Sequence, residues 1–149
     1  MPLYLENQAF GAMAFDLTGL KNDTPLYVGS EAGAKTTDTA AKAIDTSCAR
    51  KYKDRFFFRI LDVTEVNGTG LSYLDLNFYS VDSEDAAKTT AKSFVKLRVT
   101  KQMLADAKRT PIEVSVPSTF GRFVRLEVST DGTASVSGSL LVTIEETFL

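Results

Sequence analysis

The chain has 149 residues, is 44% hydrophobic and 24% charged, and carries a formal net charge of −2. That length supports one buried core and is short for two, and that composition is globular. The near-neutral balance excludes the strong basic field of a nucleic-acid binder and the polybasic anchor of a membrane-surface protein.

The opening "MPLYLENQ" has no basic start followed by an apolar run, and no apolar stretch nears the roughly 18 residues of a spanning helix, so synthesis in the cytoplasm is expected. The sequons at Asn22 and Asn67 then carry no meaning. Residues Leu3 to Phe15 hold Leu3, Tyr4, Leu5, Phe10, Met13 and Phe15. Such a segment reads either as a strand closing a sheet or as an N-terminal arm (residues 1–15) docking on a neighbour. Leu26 to Val28 read as a short strand between turns marked by Pro25 and Gly29. Residues 31–55 are open between a long Thr-rich loop and a short helix, with Ala40, Ile44, Cys48 and Tyr52 at helical spacing.

From Phe56 the apolar period is close to two. Phe57, Leu61 and Val63 share one face, and Leu74, Leu76 and Phe78 share one on the next run. A hairpin through "NGTG" sets Leu61 opposite Leu76 and Val63 opposite Leu74, and it brings Asp62 against Asp75, an unfavourable like-charge pair. Val95, Leu97 and Val99 alternate with Phe94, Lys96 and Arg98. "TKQMLADAKRT" predicts one or two helical turns that cluster Met103, Leu104 and Ala107. Ile112, Val114 and Val116 alternate between Pro111 and Pro117, as do Val124, Leu126 and Val128 with Phe123, Arg125 and Glu127. A hairpin turn is expected at Asp131-Gly132, before a last inward set of Leu140, Val142 and Ile144. About seven to nine strands with frequent turns predict a single all-β domain over residues 1–149, an antiparallel, jelly-roll-like β-sandwich.

Chemistry is sparse. Without His, neither Ser-His-Asp nor Cys-His catalysis is available, and the lone Cys48 permits no intrachain disulfide. Asp62 with Asp75, or Asp82, Glu84 and Asp85, are the acidic groups that a cation would choose, yet "VDSEDAAK" lacks the glycine and terminal Glu of a calcium loop. No catalytic, metal or cofactor residues are expected. Basic residues cluster at Arg50, Lys51, Lys53, Arg55 and Arg59 and again at Lys88, Lys92, Lys96, Arg98 and Lys101, and they read as solvated faces or as a face for an acidic protein.

On the hairpin's other face lie Phe56, Phe58 and Ile60, then Tyr73, Tyr79 and Val81, and the C-terminus adds Phe148 and Leu149. A sheet packed on one side should be polar on the other. These residues, with those of the N-terminal arm, are therefore expected to make oligomer or partner contacts.

The runs "FFFRILDVTEVNGTGLSYLDLNFYSVDSED", "FVKLRVTKQML" and "PIEVSVPSTFGRFVRLEVSTDGTASVSGSLLVTIEE" resemble the jelly-roll decoration (cement) proteins of tailed-bacteriophage capsids. The shared features are a strand ending in Val63 to Glu65, a Gly-rich turn, the return strand Leu74 to Phe78 and the loop Ser80 to Asp85. Pro117 to Leu126 and the turn Thr133 to Gly138 complete the pattern. Over residues 56–146 the resemblance implies a non-enzymatic virion protein on the capsid exterior. It also implies a homotrimer that bridges subunits of the major capsid protein. The other fold-level reading is a jelly-roll carbohydrate-binding module, whether or not on a virion, using Tyr4, Tyr27, Tyr52, Tyr73 or Tyr79 to stack sugars.

Overall fold

The computed structural model describes residues 9–46, 55–87, 92–108, 110–116 and 121–147, apart from the side chains of residues 55, 56, 92, 116, 146 and 147. Nine strands form among them: β1 (Phe15–Asp16), β2 (Leu26–Val28), β3 (Ile44–Asp45), β4 (Arg55–Asn67), β5 (Tyr73–Val81), β6 (Lys92–Thr100), β7 (Ile112–Val116), β8 (Phe123–Thr130) and β9 (Ser137–Thr147), with one helix, α1 (Lys101–Asp106), between β6 and β7. One sheet has the order β1-β9-β4-β7; the other has β2-β8-β5-β6, with β3 also pairing β8. Every strand pairing is antiparallel.

Because β2 and β3 both pair with β8, they act as two pieces of one strand. The chain then behaves as a long ribbon folded on itself, with β1 on β9, β2 and β3 on β8, β4 on β7, and β5 on β6. Rolling that ribbon into two facing sheets produces a jelly roll. The all-β antiparallel sandwich expected from the alternation is the observed architecture.

The two expected hairpins do not form. β4 and β5 lie in different sheets, as do β8 and β9. The "NGTG" and Asp131-Gly132 turns are instead arches that carry the chain across the core, and each drops an apolar residue, Leu71 or Val136, into the sandwich end. The arches also hold each other. Asp131 accepts hydrogen bonds from the amides of Ser72 (2.9 Å) and Tyr73 (3.3 Å), and the Thr133 amide donates to the Thr69 carbonyl (2.9 Å). Those amides hold the Asp131 carboxyl below its ordinary range.

The inward face of β4 is Phe58, Ile60 and Val66, not Phe57, Leu61 and Val63; Val63 is 55% exposed. Both faces of β4 are apolar in sequence, so alternation alone leaves its parity open. β9 decides it: Phe58, Ile60 and Asp62 stand beside Ile144, Val142 and Leu140, whose inward set is unambiguous. Phe58 then stacks on Phe78 of the facing sheet, with centroids 3.8 Å apart and planes at 9°, and Phe10 packs edge-on against both rings.

The helix in "TKQMLADAKRT" forms as expected. The Thr100 hydroxyl caps it by accepting the Met103 amide, and it buries Leu104. The helix allowed within 31–55 does not form over its described part. Ile44 is a strand residue opposite Val124, and only a short 3-10 turn occurs, at Asp38–Ala40; Cys48 and Tyr52 lie outside the described residues.

Gly138 opens β9 at φ +114°, where a Cβ would sit 2.5 Å from the Glu65 carbonyl oxygen in the bulged part of β4. Gly138→Ala is expected to destabilise the chain by about 2 kcal/mol or more, from a forbidden φ plus a backbone clash. A urea midpoint unchanged from the parent would contradict this packing.

Candidate functional site

The residues expected to meet a partner divide sharply. Phe10, Phe15, Phe58, Ile60 and Tyr79 are at most 1% exposed within the single chain. They are core residues with no surface to offer, which corrects the interface expectation for them. Phe10 and Phe15 belong to a segment that flanks β9, where Ala9 bridges Thr143 and Phe15 pairs with Leu140. Met13 is 65% exposed. Tyr73 is half-buried beneath Arg98. Phe56 is a β4 residue by its backbone, with its side chain outside the described part. Leu3, Tyr4, Leu5, Phe148 and Leu149 lie outside the described residues.

The second apolar face has two covers. On β4 it is the core itself. On β5, Tyr79 and Val81 turn outward and are roofed by Ala43 and Ala86 from two loops. Arg125 of β8 pins that roof. Its guanidinium is 0% exposed and donates to three backbone carbonyls, of Ala41 (2.6 Å), Ala86 (2.9 Å) and Glu84 (3.0 Å). Burial pushes the neighbouring Tyr79 phenol up to about 12, although Arg125 works against the shift. In sequence Arg125 looks like an ordinary outward arginine on an alternating strand; only the long crossing loops make it a buried pin.

The acidic groups do not gather. Asp62 and Asp75 stand in different sheets, so the like-charge clash and a shared cation at that pair are both overturned. Asp75 instead forms a two-point ion pair with Arg98 (2.9 and 3.0 Å). Among the described residues, no group of three or more His, Cys, Asp or Glu side chains is placed to hold a metal, the Asp82, Glu84 and Asp85 turn included. The described basic residues are likewise interleaved with acids. Arg59 lies 3.7 Å from Glu113 and 3.6 Å from Glu145, and Lys108 lies 3.8 Å from Glu65.

Asp62 is the unusual carboxylate. It is 7% exposed, it faces the core side of β4 opposite Leu140, and its Oδ1 has no hydrogen-bond partner. Burial pushes its carboxyl above the ordinary 3.8; Lys108 opposes this and Glu65 adds to it. The folded chain thus holds this proton more tightly than the unfolded chain, so Asp62 lowers stability as pH rises above that ordinary value. Asp62→Asn is expected to raise the urea midpoint at about pH 7 and to lose that advantage near pH 4. An advantage independent of pH would place its origin in packing and not in charge.

Beside the roofed patch, the outer face of the β2-β8-β5-β6 sheet is open and polar. Tyr27, Glu127, Asn77 and Lys96 stand in one row across four strands, and Ser129, Asp75 and Arg98 in the next. Asp75, Asn77, Lys96, Arg98, Glu127 and Ser129 of these rows line a trough of about 390 Å³, beside Tyr27. The Arg98 guanidinium lies 3.8 Å above the Tyr73 ring. Burial, with Glu127 beside it, pushes the Tyr27 phenol up to about 12. No local motif joins these residues in the sequence; the strand order brings them together.

No protein-family model matches the chain, and no curated protein does. Among solved structures, the CBM22-1 and GH10 modules of the N-terminal part of endo-1,4-beta-D-xylanase 10B from Clostridium thermocellum, complexed with xylohexaose, are similar at 14% identity and a TM-score of 0.35. That alignment covers 97% of this chain and 27% of the xylanase chain. At this score the likeness carries no argument. The jelly roll is established by the strand order.

Proposed function

We propose that the chain is a capsid decoration protein, binding the outside of an icosahedral phage shell and bridging its capsomers. The observation that carries this reading is where the segments of the resemblance fall. Val63 to Glu65 lie near the end of β4, Leu74 to Phe78 in β5, Ser80 to Asp85 across the exit from β5, and Thr133 to Gly138 across the arch into β9. The sequence pattern and the jelly-roll frame therefore coincide over the same residues. A decoration protein performs no bond chemistry; it needs a rigid body, and repeated modest contacts give avidity across the shell.

One end of the sandwich, where several segments converge, suits the docking that this reading requires. Thr46 donates to the Arg122 carbonyl (2.7 Å) and the Gly121 amide donates to Ser80 (2.9 Å), so the exit of β3, the end of β5 and the entry to β8 meet at one end of the sandwich. With Phe10, Phe15, Phe58, Ile60 and Tyr79 committed to the core, self-association and shell contact fall to Met13 and to the segments bearing Leu3, Tyr4, Leu5, Phe148 and Leu149. Trimerisation belongs to this proposal.

The purified chain, mixed with capsids of the phage that encodes it, should co-sediment to a fixed copy number per shell. It should also raise the temperature at which the shells open. A chain that stays in the supernatant at micromolar concentration sinks the reading.

The carbohydrate-module reading keeps one supporting observation, the polar trough, but loses part of its original basis. Tyr79 is buried and one face of the Tyr73 ring is taken by Arg98; Tyr4 and Tyr52 lie outside the described residues.

A further inference from the structure

We infer that the trough on the outer face of β5, β6 and β8 is a binding site for a neutral oligosaccharide, read by hydrogen bonds and by the guanidinium plane of Arg98. This inference moves the carbohydrate reading from the tyrosine faces to the polar side chains beside them, and sugar binding there does not require that the chain bind capsids.

Charge balance is the first argument. The lining contains two carboxylates, Asp75 and Glu127, and two cations, Lys96 and Arg98. Their charges cancel locally, and Asp75 and Arg98 already satisfy each other in a two-point pair. An ionic ligand would gain no net field and would compete with that exposed pair for the same charges. A sugar hydroxyl both donates and accepts, so it can add to an acceptor and a donor held side by side without displacing either.

Geometry is the second. Residues of the two rows alternate along the same strands, so the rows are spaced by about 7 Å. One hydroxyl cannot touch both, whereas linked rings can. A volume of about 390 Å³ is near the lower end for small-molecule sites and suits a short stretch of such a chain.

Preorganisation is the third. Stacking on Tyr73 and the pair with Asp75 fix the Arg98 plane before any ligand arrives. The Asn77 amide makes one long hydrogen bond, from Nδ2 to Glu127 at 3.4 Å, while its Oδ1 has no donor. Turning that amide toward a ligand therefore costs little.

The test is a titration of the 15N-labelled full chain, followed by amide shifts. Neutral hexasaccharides are the probes (a β-1,4-glucan, an α-1,4-glucan and a β-1,4-mannan), with a polygalacturonate hexamer as the charged control. With at least one neutral probe, saturable shifts are expected that centre on residues 75–77, 96–98 and 127–129. Arg98→Gln and Asn77→Ala should each weaken that affinity by about tenfold, the cost of one lost hydrogen bond, while core amides stay in place. No saturable shift with any neutral probe at millimolar concentration overturns the inference. So does binding of the charged oligomer alone, or binding indifferent to both substitutions. Arg98→Gln should bind capsids as the parent does; if it loses them, the trough faces the shell and the sugar assignment falls. Sugar binding by a chain that ignores capsids upholds the trough and ends the decoration reading.

Discussion

Arg125→Ala is expected to lower stability by about 3–5 kcal/mol, the range for stripping one partner from a buried charged network. The truncation leaves the carbonyls of Ala41, Glu84 and Ala86 without their donor in a site where the parent side chain is 0% exposed. It also unpins the roof over Tyr79 and Val81, exposing apolar surface next to the trough. Arg125→Lys keeps the charge, but a compact ammonium lacks the planar fork that reaches three carbonyls at once, so it should recover only part of the loss. Urea unfolding followed by far-UV circular dichroism measures both. Arg122→Ala is the control. Its pair with Asp45 is also two-pointed, at 2.9 and 3.0 Å, but is exposed, and its loss should be nearly silent. Equal effects at the two arginines would mean that Arg125 is solvated and the roof is open.

Phe58→Ala should cost about 3–5 kcal/mol and leave the oligomeric mass unchanged. The ring is 0% exposed and stacks across the sandwich on Phe78, with Phe10 closing the third side. Removing it opens a cavity between the two sheets at a point where three chain segments meet, and these cannot collapse together without moving strands. Sedimentation across a concentration series, run beside the unfolding measurement, separates the two roles considered for this residue. If Phe58 served a partner surface, the substitution would shift the mass and spare the isolated fold.

Most of the strand inventory was legible in the sequence, because period-two alternation reports local geometry. β2, β7 and β8, the inward sets Leu74-Leu76-Phe78 and Leu140-Val142-Ile144, and the helix capped by Thr100 were all foreseeable from their own residues. The errors came where a local pattern had two solutions. β4 carries apolar residues on both faces, so its parity waited on β9. "NGTG" and Asp131-Gly132 have the chemistry of hairpin turns, yet a turn of the chain does not state whether the next strand pairs beside the last or crosses to the other sheet. The excess apolar surface inferred from a β4–β5 hairpin disappeared once the strands were assigned to opposite sheets.

The candidate site was less legible for the same reason. Asp75, Asn77, Lys96, Arg98, Glu127 and Ser129 come from three strands and no local motif joins them; β5, pairing with β6 on one edge and β8 on the other, places them in two rows. Composition and alternation by themselves determined an all-β chain without histidine chemistry, since those properties are sums over residues or patterns within a few of them. Tertiary structure alone decided which face of β4 is inside, that Arg125 is a buried pin, and that a polar trough exists. Each of these depends on which distant strands become neighbours, a choice made by burying the whole core at once.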